Sequence, residues 1–405
     1  MHLRALSIEN FRNLAHVTLE PHPRFNVISG DNGQGKTNLL EAAYLLATLR
    51  SFRTTRTEEL LRLGAEGAAL LRARVERQGT ERLLSVELSR VTASTAAARA
   101  GTTLKVARVD GKPARAVDYF GGVNAVLFAP DDLRLPKGPP SGRRRLLDRA
   151  VWNAAPTFLS EAQTYDRLLR SRNALLRAGL RGGGSAVVDP ALLAVYDEQL
   201  ATAGAAMLAR RRWYLDLLAP YFEEAFARVS QTGLRAALRY HLSGSLLRAA
   251  AATANATASA SGDATAPSQA ALHEALLAQL HRDHGRDQAR GFTHSGPHAD
   301  DLDFQLADQD AATYASQGQL RALVLAFKIA EIRLLLERLH DTPVLLLDDV
   351  SSELDAARNH NLFTFLQEVP CQAFITTTSP DYIQLARGDE RRDYRVQGGL
   401  VDAVG

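Results

Sequence analysis

One cysteine, Cys371, serves all 405 residues. That excludes an intramolecular disulfide and any zinc site built from several thiolates. No apolar run approaches the roughly 20 residues that span a bilayer. The opening stretch, 1–9, lacks the apolar core of an export signal. Together these absences predict a cytoplasmic protein with no membrane partner. Lysine is scarce: Lys36, Lys105, Lys112, Lys137 and Lys328 are the only ones among 48 basic residues. The arginine excess is assigned to the base composition of the coding sequence. With a net charge of only +3, local arginine clusters are what bear on an anionic partner. Aromatics make up 6%, yet 46% of the chain is hydrophobic, enough to build the cores of two or three domains.

The most informative stretch is Gly30-Asp31-Asn32-Gly33-Gln34-Gly35-Lys36-Thr37, which fits G-x-x-x-x-G-K-[ST] at every fixed position. An apolar run, 25–29, leads in, and a helical pattern opening with Asn38-Leu39-Leu40 leads out. That strand–loop–helix setting separates a phosphate-binding loop from an ordinary glycine-rich turn. Glycines let backbone N–H groups turn onto anionic oxygens, and the helix N-terminus adds its positive dipole end. Lys36 is placed to reach the β- and γ-phosphates of a nucleotide as a point charge. The Thr37 hydroxyl is placed to ligate Mg²⁺.

The surrounding chain alternates strands and helices. Strands are expected at 3–8, 16–19, 25–29, 69–76, 83–88, 104–109 and 124–128, with a hairpin signal at Asp110-Gly111. Helical spacing follows at 141–151, 158–178, 190–230 and 270–282. Gly182-Gly183-Gly184-Ser185 is a connector, and the Ala/Ser/Thr tract 249–268 is a loop or insertion. Strand character returns at 301–306 and around 311–314. A helix over 319–340 precedes the strongest strand, 343–349, and a helix at 356–368 precedes a strand at 372–377. No heptad pattern persists beyond three or four repeats, which excludes a long coiled coil. The expected division is an α/β lobe of 1–130 with 290–405, interrupted by a helical lobe of 131–289.

Two further stretches carry chemistry. Val344-Leu345-Leu346-Leu347 ends in Asp348-Asp349. Carboxylates at the edge of a buried strand need a cation or polar partners. Beside a phosphate loop, Asp348 would hold Mg²⁺ and Asp349 would orient or deprotonate a water; the plainer alternative is that Asp349 caps a helix. Ser316-Gln317-Gly318-Gln319 opens the long helix, an anion-ready N-terminus or a simple serine cap. That helix spans about 30 Å. The strand after it returns only about 17–20 Å. Ser316 is therefore expected to overhang its own chain's site and to serve a second chain's nucleotide.

The order of these motifs resembles the ABC-type ATPases: Walker A, signature at Ser316-Gln317-Gly318-Gln319, Walker B at Asp348-Asp349, D-loop at Ser352-Glu353-Leu354-Asp355. Finer details resemble the RecF family of bacterial recombination mediators. They include Ile8-Glu9-Asn10-Phe11-Arg12-Asn13, Phe128-Ala129-Pro130-Asp131-Asp132-Leu133, Gly142-Arg143-Arg144-Arg145 and Gly296-Pro297-His298. The resemblance covers nearly the whole chain. It implies an SMC-like ATPase head with an inserted helical lobe in place of a coiled coil. It implies ATP and Mg²⁺ as cofactors and a weak, DNA-dependent ATPase that dimerises on ATP. It further implies binding to double-stranded DNA and double-/single-strand junctions, at the nucleoid, and action with RecR and RecO to load RecA at gaps. By the family pattern Arg12 and Asn13 lie near the nucleotide, and Ser316, Gly318 and Gln319 reach a γ-phosphate in trans. The pattern also makes Thr377 and Thr378 candidates for the γ-phosphate switch; Arg143, Arg144 and Arg145 are the densest basic run and the DNA candidates. Three departures stand out: Asp131 or Asp132 stands where a Q-loop glutamine is usual, threonines replace the switch histidine, and Ala299 follows Gly296-Pro297-His298 where arginine is usual. A transporter's nucleotide-binding subunit is disfavoured by the long interval between Lys36 and Ser316. A non-hydrolysing ATP-gated scaffold and another SMC-like ATPase remain alternatives.

Overall fold

A computed structural model describes residues 1–90, 103–181, 189–250, 268–383, 385 and 390–404. The glycine connector 182–185 and most of the 249–268 tract lie outside the described residues. The chain forms two compact units: Met1–Arg134 with Ala225–Gly233 and Arg321–Gly405, and Leu135–Glu224 with Leu234–Leu320.

The first unit holds two six-stranded sheets. In the antiparallel one, alternating sequence buries one face: Leu3, Leu6, Ile8 and Phe11 of His2–Phe11 point inward, as do Leu71, Ala73 and Val75 of Ala69–Arg77. Its turn at Asp110-Gly111 has both residues at positive φ, 50° and 78°, as a two-residue hairpin requires. The second sheet orders its strands Leu400–Val404, Arg391–Gln397, Phe25–Ser29, Ala373–Thr377, Val344–Leu347 and Ala125–Phe128. All neighbours but the terminal hairpin are parallel. The fully buried runs of Ala125–Phe128, Val344–Leu347 and Ala373–Thr377 suit strands covered on both faces. The helix Lys36–Thr48 lies between the sheets: Leu39, Leu40 and Leu46 join one core with Leu6 and Ile8 of the first sheet and Ile28 and Phe374 of the second.

The second unit packs the helices Pro140–Ala154, Phe158–Arg181 and Gln269–Arg290, and most of Pro190–Ser230, with a three-stranded sheet. Here the expected boundary is corrected. Residues 290–320 go with the inserted unit, because Asp301–Leu306 pairs along its length with Ala236–His241, a strand inside the insertion. The expected strand around 311–314 is instead a helical turn, Ala311–Tyr314, whose N-cap Asp310 accepts from the Ala312 N–H. The longest helix among the described residues is Pro190–Ser230, 41 residues, and no long coiled coil is present among them.

Candidate functional site

The carboxyl ends of the parallel strands line up, and the chemistry gathers there. Register puts Thr377 beside Ser29, and Ile375 beside both Val27 and Leu347. The strand Ala373–Thr377 therefore separates the strand feeding the phosphate loop from the strand ending in the two acids. This order explains the hydrogen bonds. Thr37 Oγ1, first turn of the loop's helix, donates to Asp348 Oδ1 at 2.9 Å, and Thr376 Oγ1 donates to the same oxygen at 2.8 Å. The Asp349 backbone N–H donates to Thr376 Oγ1 at 2.9 Å. Thr37, Thr376, Asp348 and Asp349 thus form one connected group.

Burial raises the Asp348 carboxyl above its ordinary range, against the two hydroxyl donors, and neighbouring Asp349 pushes the same way. Burial likewise lowers the Lys36 ammonium, opposed by Asp349, Asp348 and Asp31. Lys36 Nζ donates to the loop carbonyls of Gly30, at 2.5 Å, and Asp31, at 2.9 Å. Asp349 takes a left-handed backbone, φ 47°, at the start of Val350–Glu353, and its side chain makes no capping hydrogen bond. The plain cap reading of Asp349 is not what the structure holds. Its Oδ1 is buried with no hydrogen-bond partner, and the Lys36 ammonium acts on the carboxylate only through space, a costly arrangement for a buried carboxylate oxygen.

The loop is braced from two sides. Asn13 Nδ2 donates to Gln34 O at 2.9 Å, and Asn38 Nδ2 donates to Asn13 Oδ1 at 2.8 Å. Gly399 N–H donates to Gln34 O at 3.0 Å and Gly398 N–H to Gln34 Oε1 at 2.6 Å, so the C-terminal hairpin turn holds the loop. A Cβ on Gly30 would stand 2.3 Å from Val396 O, which forces glycine there. The strands flanking Gly398-Gly399 and the residue Glu41 were missed in the sequence; the two-glycine turn between alternating runs was the available signal.

Arg12 joins the phosphate loop's helix to the strand before it. Its guanidinium clamps the fully buried Glu41 of the loop's helix through two hydrogen bonds, 2.9 and 2.8 Å, and donates to Glu59 O. Ser51 Oγ and Arg53 also reach Glu41, and Arg53 donates to Asn38 Oδ1 at 2.7 Å. Of the threonines, Thr376 is the one on the acids. Thr377 Oγ1 turns into its own loop, donating to Ser379 O at 2.8 Å, and Thr378 is exposed. Of the acids at the Q-loop position, Asp132 is buried, 3.9 Å from the Lys328 ammonium, while Asp131 is exposed.

In the inserted unit, Ser316 and Gln319 form a reciprocal cap: Ser316 N–H donates to Gln319 Oε1 at 2.8 Å, and Gln319 N–H to Ser316 Oγ at 3.2 Å. Ser316 and Gln317 are exposed, and Gly318 and Gln319 are half-buried. The basic run separates by role. Arg143 is buried and grips Asp301 through two bonds, 2.9 and 2.6 Å, and the Gly138 carbonyl. It is corrected from a DNA candidate to an internal tie, its donors already spent. Arg144 is half-buried and donates to Asp300 O, and Arg145 is exposed. Gly296-Pro297-His298 belongs to a buried network: Tyr165 Oη meets His298 Nδ1 at 2.6 Å, Arg211 donates to Pro297 O at 2.7 Å, and Ala299 is exposed. No helix among the described residues is long and apolar enough to cross a membrane.

The arrangement is a cradle for a polyphosphate with hard oxygen donors beneath it. The model of the RecF/RecN/SMC N terminal domain matches residues 2–397. The DNA replication and repair protein RecF of Anaeromyxobacter sp. (strain Fw109-5) is 44% identical over all of both chains. A solved structure of the recombination mediator protein RecF-ATPrS in the RecFOR pathway superposes with a TM-score of 0.82 at 28% identity, covering 100% of this chain and 98% of that one. The Smc head domain of Pyrococcus furiosus, 15% identical with a TM-score of 0.52 over 100% and 96% of the two chains, shares the fold. With an SMC-like ABC-type ATPase head, an inserted lobe and full-length relatives, this chain belongs to the RecF family of DNA replication and repair proteins.

Proposed function

We propose that the protein is an ATP-gated, DNA-binding ATPase: it binds Mg²⁺-ATP, closes into a head-to-head dimer on DNA, and opens again on slow hydrolysis. The observation that carries this reading is the single connected group of Thr37, Asp348, Thr376 and Asp349 under a complete phosphate loop. The solved relative carrying an ATP analogue supports ATP as the nucleotide. The residues present also fit Mg²⁺. Thr37 Oγ1 and Asp348 Oδ1 are hard oxygen donors 2.9 Å apart, and Asp349, its Oδ1 without a hydrogen-bond partner, adds negative charge next to Asp348. When bound there, Mg²⁺ would neutralise charge on the β- and γ-phosphates.

The chain's own residues do the rest. Loop N–H groups and Lys36 hold the phosphates, with Asn13 and the Gly398-Gly399 turn keeping the loop in shape. Asp349 orients the attacking water and accepts its proton. Thr376, rather than Thr377 or Thr378, links that carboxylate's backbone to Asp348 and is the proposed γ-phosphate sensor. Asp131, exposed beside the committed Asp132, is the proposed replacement for the Q-loop glutamine. Ser316, Gly318 and Gln319 are proposed to complete a second chain's site. Exposed Arg145, with Arg144, is proposed to contact DNA phosphates. Membership of a family of DNA replication and repair proteins supports DNA as the ligand, and the RecFOR pathway named for the solved relative supports RecR and RecO as partners. We further propose duplex DNA and double-/single-strand junctions as the preferred structures and RecA loading at gaps, at the nucleoid, as the outcome.

Asp349→Asn tests the reading. ATP binding should persist, hydrolysis should stop, and the ATP-bound dimer should accumulate; Asp348→Asn should instead weaken Mg²⁺-ATP binding. Identical behaviour of the two variants in nucleotide titration and turnover would refute the division of roles. Absence of turnover in the unaltered protein, with and without DNA, would favour a non-hydrolysing scaffold.

A further inference from the structure

The inserted unit holds a second polar cluster, made by the helices Phe158–Arg181, Pro190–Ser230 and Gln269–Arg290. Arg172, Asp197 and Asp287 are all fully buried. Arg172 Nε donates to Asp197 Oδ1 at 2.6 Å, and its Nη1 donates to Asp287 Oδ2 at 2.7 Å. His294 Nδ1 lies 2.7 Å from Asp287 Oδ1, and His284 Nε2 lies 2.5 Å from Asp197 Oδ2. His281 sits one turn before His284 on the same helix, their ring centroids 5.3 Å apart. Ligand atoms of Asp197, His281 and His284 lie within 4.8 Å of one another. The two buried carboxylates share one guanidinium, and the remaining oxygen of each faces an imidazole nitrogen. A cation held between Asp197 Oδ2 and the imidazoles would add favourable charge beside this buried acidic pair.

We propose that Asp197, His281 and His284 bind a divalent transition ion of the Zn²⁺ class, cross-tying the helices Pro190–Ser230 and Gln269–Arg290. Two imidazoles and a carboxylate are the donor set that such ions take and that Mg²⁺ and Ca²⁺ do not favour. Zinc–ligand bonds near 2.0–2.1 Å at tetrahedral angles put ligand atoms about 3.3 Å apart. The Asp197–His284 pair need open by less than about 1 Å to admit the ion, and His281, the outermost of the three, closes on it by side-chain rotation. The ligating carboxylate already has its orienting partner, because Arg172 fixes the far oxygen of Asp197 and leaves Oδ2 toward the histidines. Water would fill the remaining position. This site is separate from the phosphate loop in residues and in metal preference, so its test does not depend on ATP turnover.

The experiment uses the full-length protein, stripped of metal and then titrated with Zn²⁺ in excess Mg²⁺ against a chromophoric chelator. One Zn²⁺ per chain should bind, and Co²⁺ in its place should give the visible absorption of a tetrahedral site. His281→Ala and His284→Gln should each lower the affinity at least about tenfold, the loss that outer partners alone can cause, and should abolish the Co²⁺ band. His360→Ala, at an exposed histidine of the other unit, should change nothing. His281 is exposed, so its replacement leaves the buried Arg172–Asp197–Asp287 contacts in place. An unaltered stoichiometry and Co²⁺ spectrum in His281→Ala would show adventitious binding and overturn the proposal, as would no Zn²⁺ uptake by the unaltered protein.

Discussion

Glu41→Gln is the sharpest perturbation of the frame around the phosphate loop. Glu41 is fully buried in the loop's own helix and accepts two hydrogen bonds from Arg12, one from Ser51 and a longer one from Arg53. Each charged hydrogen bond contributes about 1.5–3 kcal/mol. Breaking a buried ion pair by removing one partner costs about 3–5 kcal/mol. The Arg12 side chain keeps 18% exposure and Arg53 44%, so water compensates part of the loss. The expected cost is about 2–4 kcal/mol, felt first by the helix Lys36–Thr48. Hydrogen exchange of that helix's amides reads it locally and avoids treating a chain of two units as one cooperative transition. The opening equilibrium should rise roughly 30- to 900-fold at 1.36 kcal/mol per decade. A double-mutant cycle with Arg12→Ala should give a coupling of about 1–3 kcal/mol. Coupling below about 0.5 kcal/mol would show that the two side chains act independently and that Arg12 does not brace the helix.

Three further outcomes concern the loop's brace and the basic run. Gly399→Ala places a Cβ 2.3 Å from Asn13 O at φ 83°, whereas Gly398→Ala meets nothing within 4 Å. The first should weaken binding of a fluorescent ATP analogue at least about tenfold by moving the turn off Gln34, and the second should cost only the left-handed backbone penalty of about 1–2 kcal/mol in stability. Arg143→Ala should destabilise the inserted unit by about 3–5 kcal/mol through the orphaned Asp301, while Arg145→Ala should leave stability within about 0.5 kcal/mol. Arg145→Ala should also reduce the salt slope of DNA binding by about one; an unchanged slope removes Arg145 from the DNA contacts.

Much of this was legible in the sequence because local signals and tertiary demands agreed. The strand 25–29, the helix 356–368 and the 41-residue helix 190–230 fall where apolar spacing puts them. The phosphate loop and Asp348 were readable because a strand–loop–helix and an aliphatic strand ending in acids have few other uses. What failed to show was pairing across long separations. The strand Ala236–His241 has a weak alternating pattern and is fixed by Asp301–Leu306, some sixty residues on, so the domain boundary could not be read from either segment alone. The choice of Thr376 over its two neighbours follows from strand order, which puts that side chain between the loop and the acids. Arg143 and Arg145 look equivalent in the sequence, and only their helix phase separates an internal tie from an exposed charge.

Ser316→Arg tests the central claim most directly, because it leaves the phosphate loop intact and changes only the exposed residue proposed to meet a second chain's nucleotide. Sedimentation velocity should be run on the unaltered protein and the variant, each with ATP, with ADP and without nucleotide. The account predicts an ATP-dependent dimer for the unaltered chain, and a variant that binds ATP near normally yet stays monomeric. A variant that dimerises on ATP as the unaltered chain does would show that Ser316 is only a helix cap, and would contradict a site completed in trans.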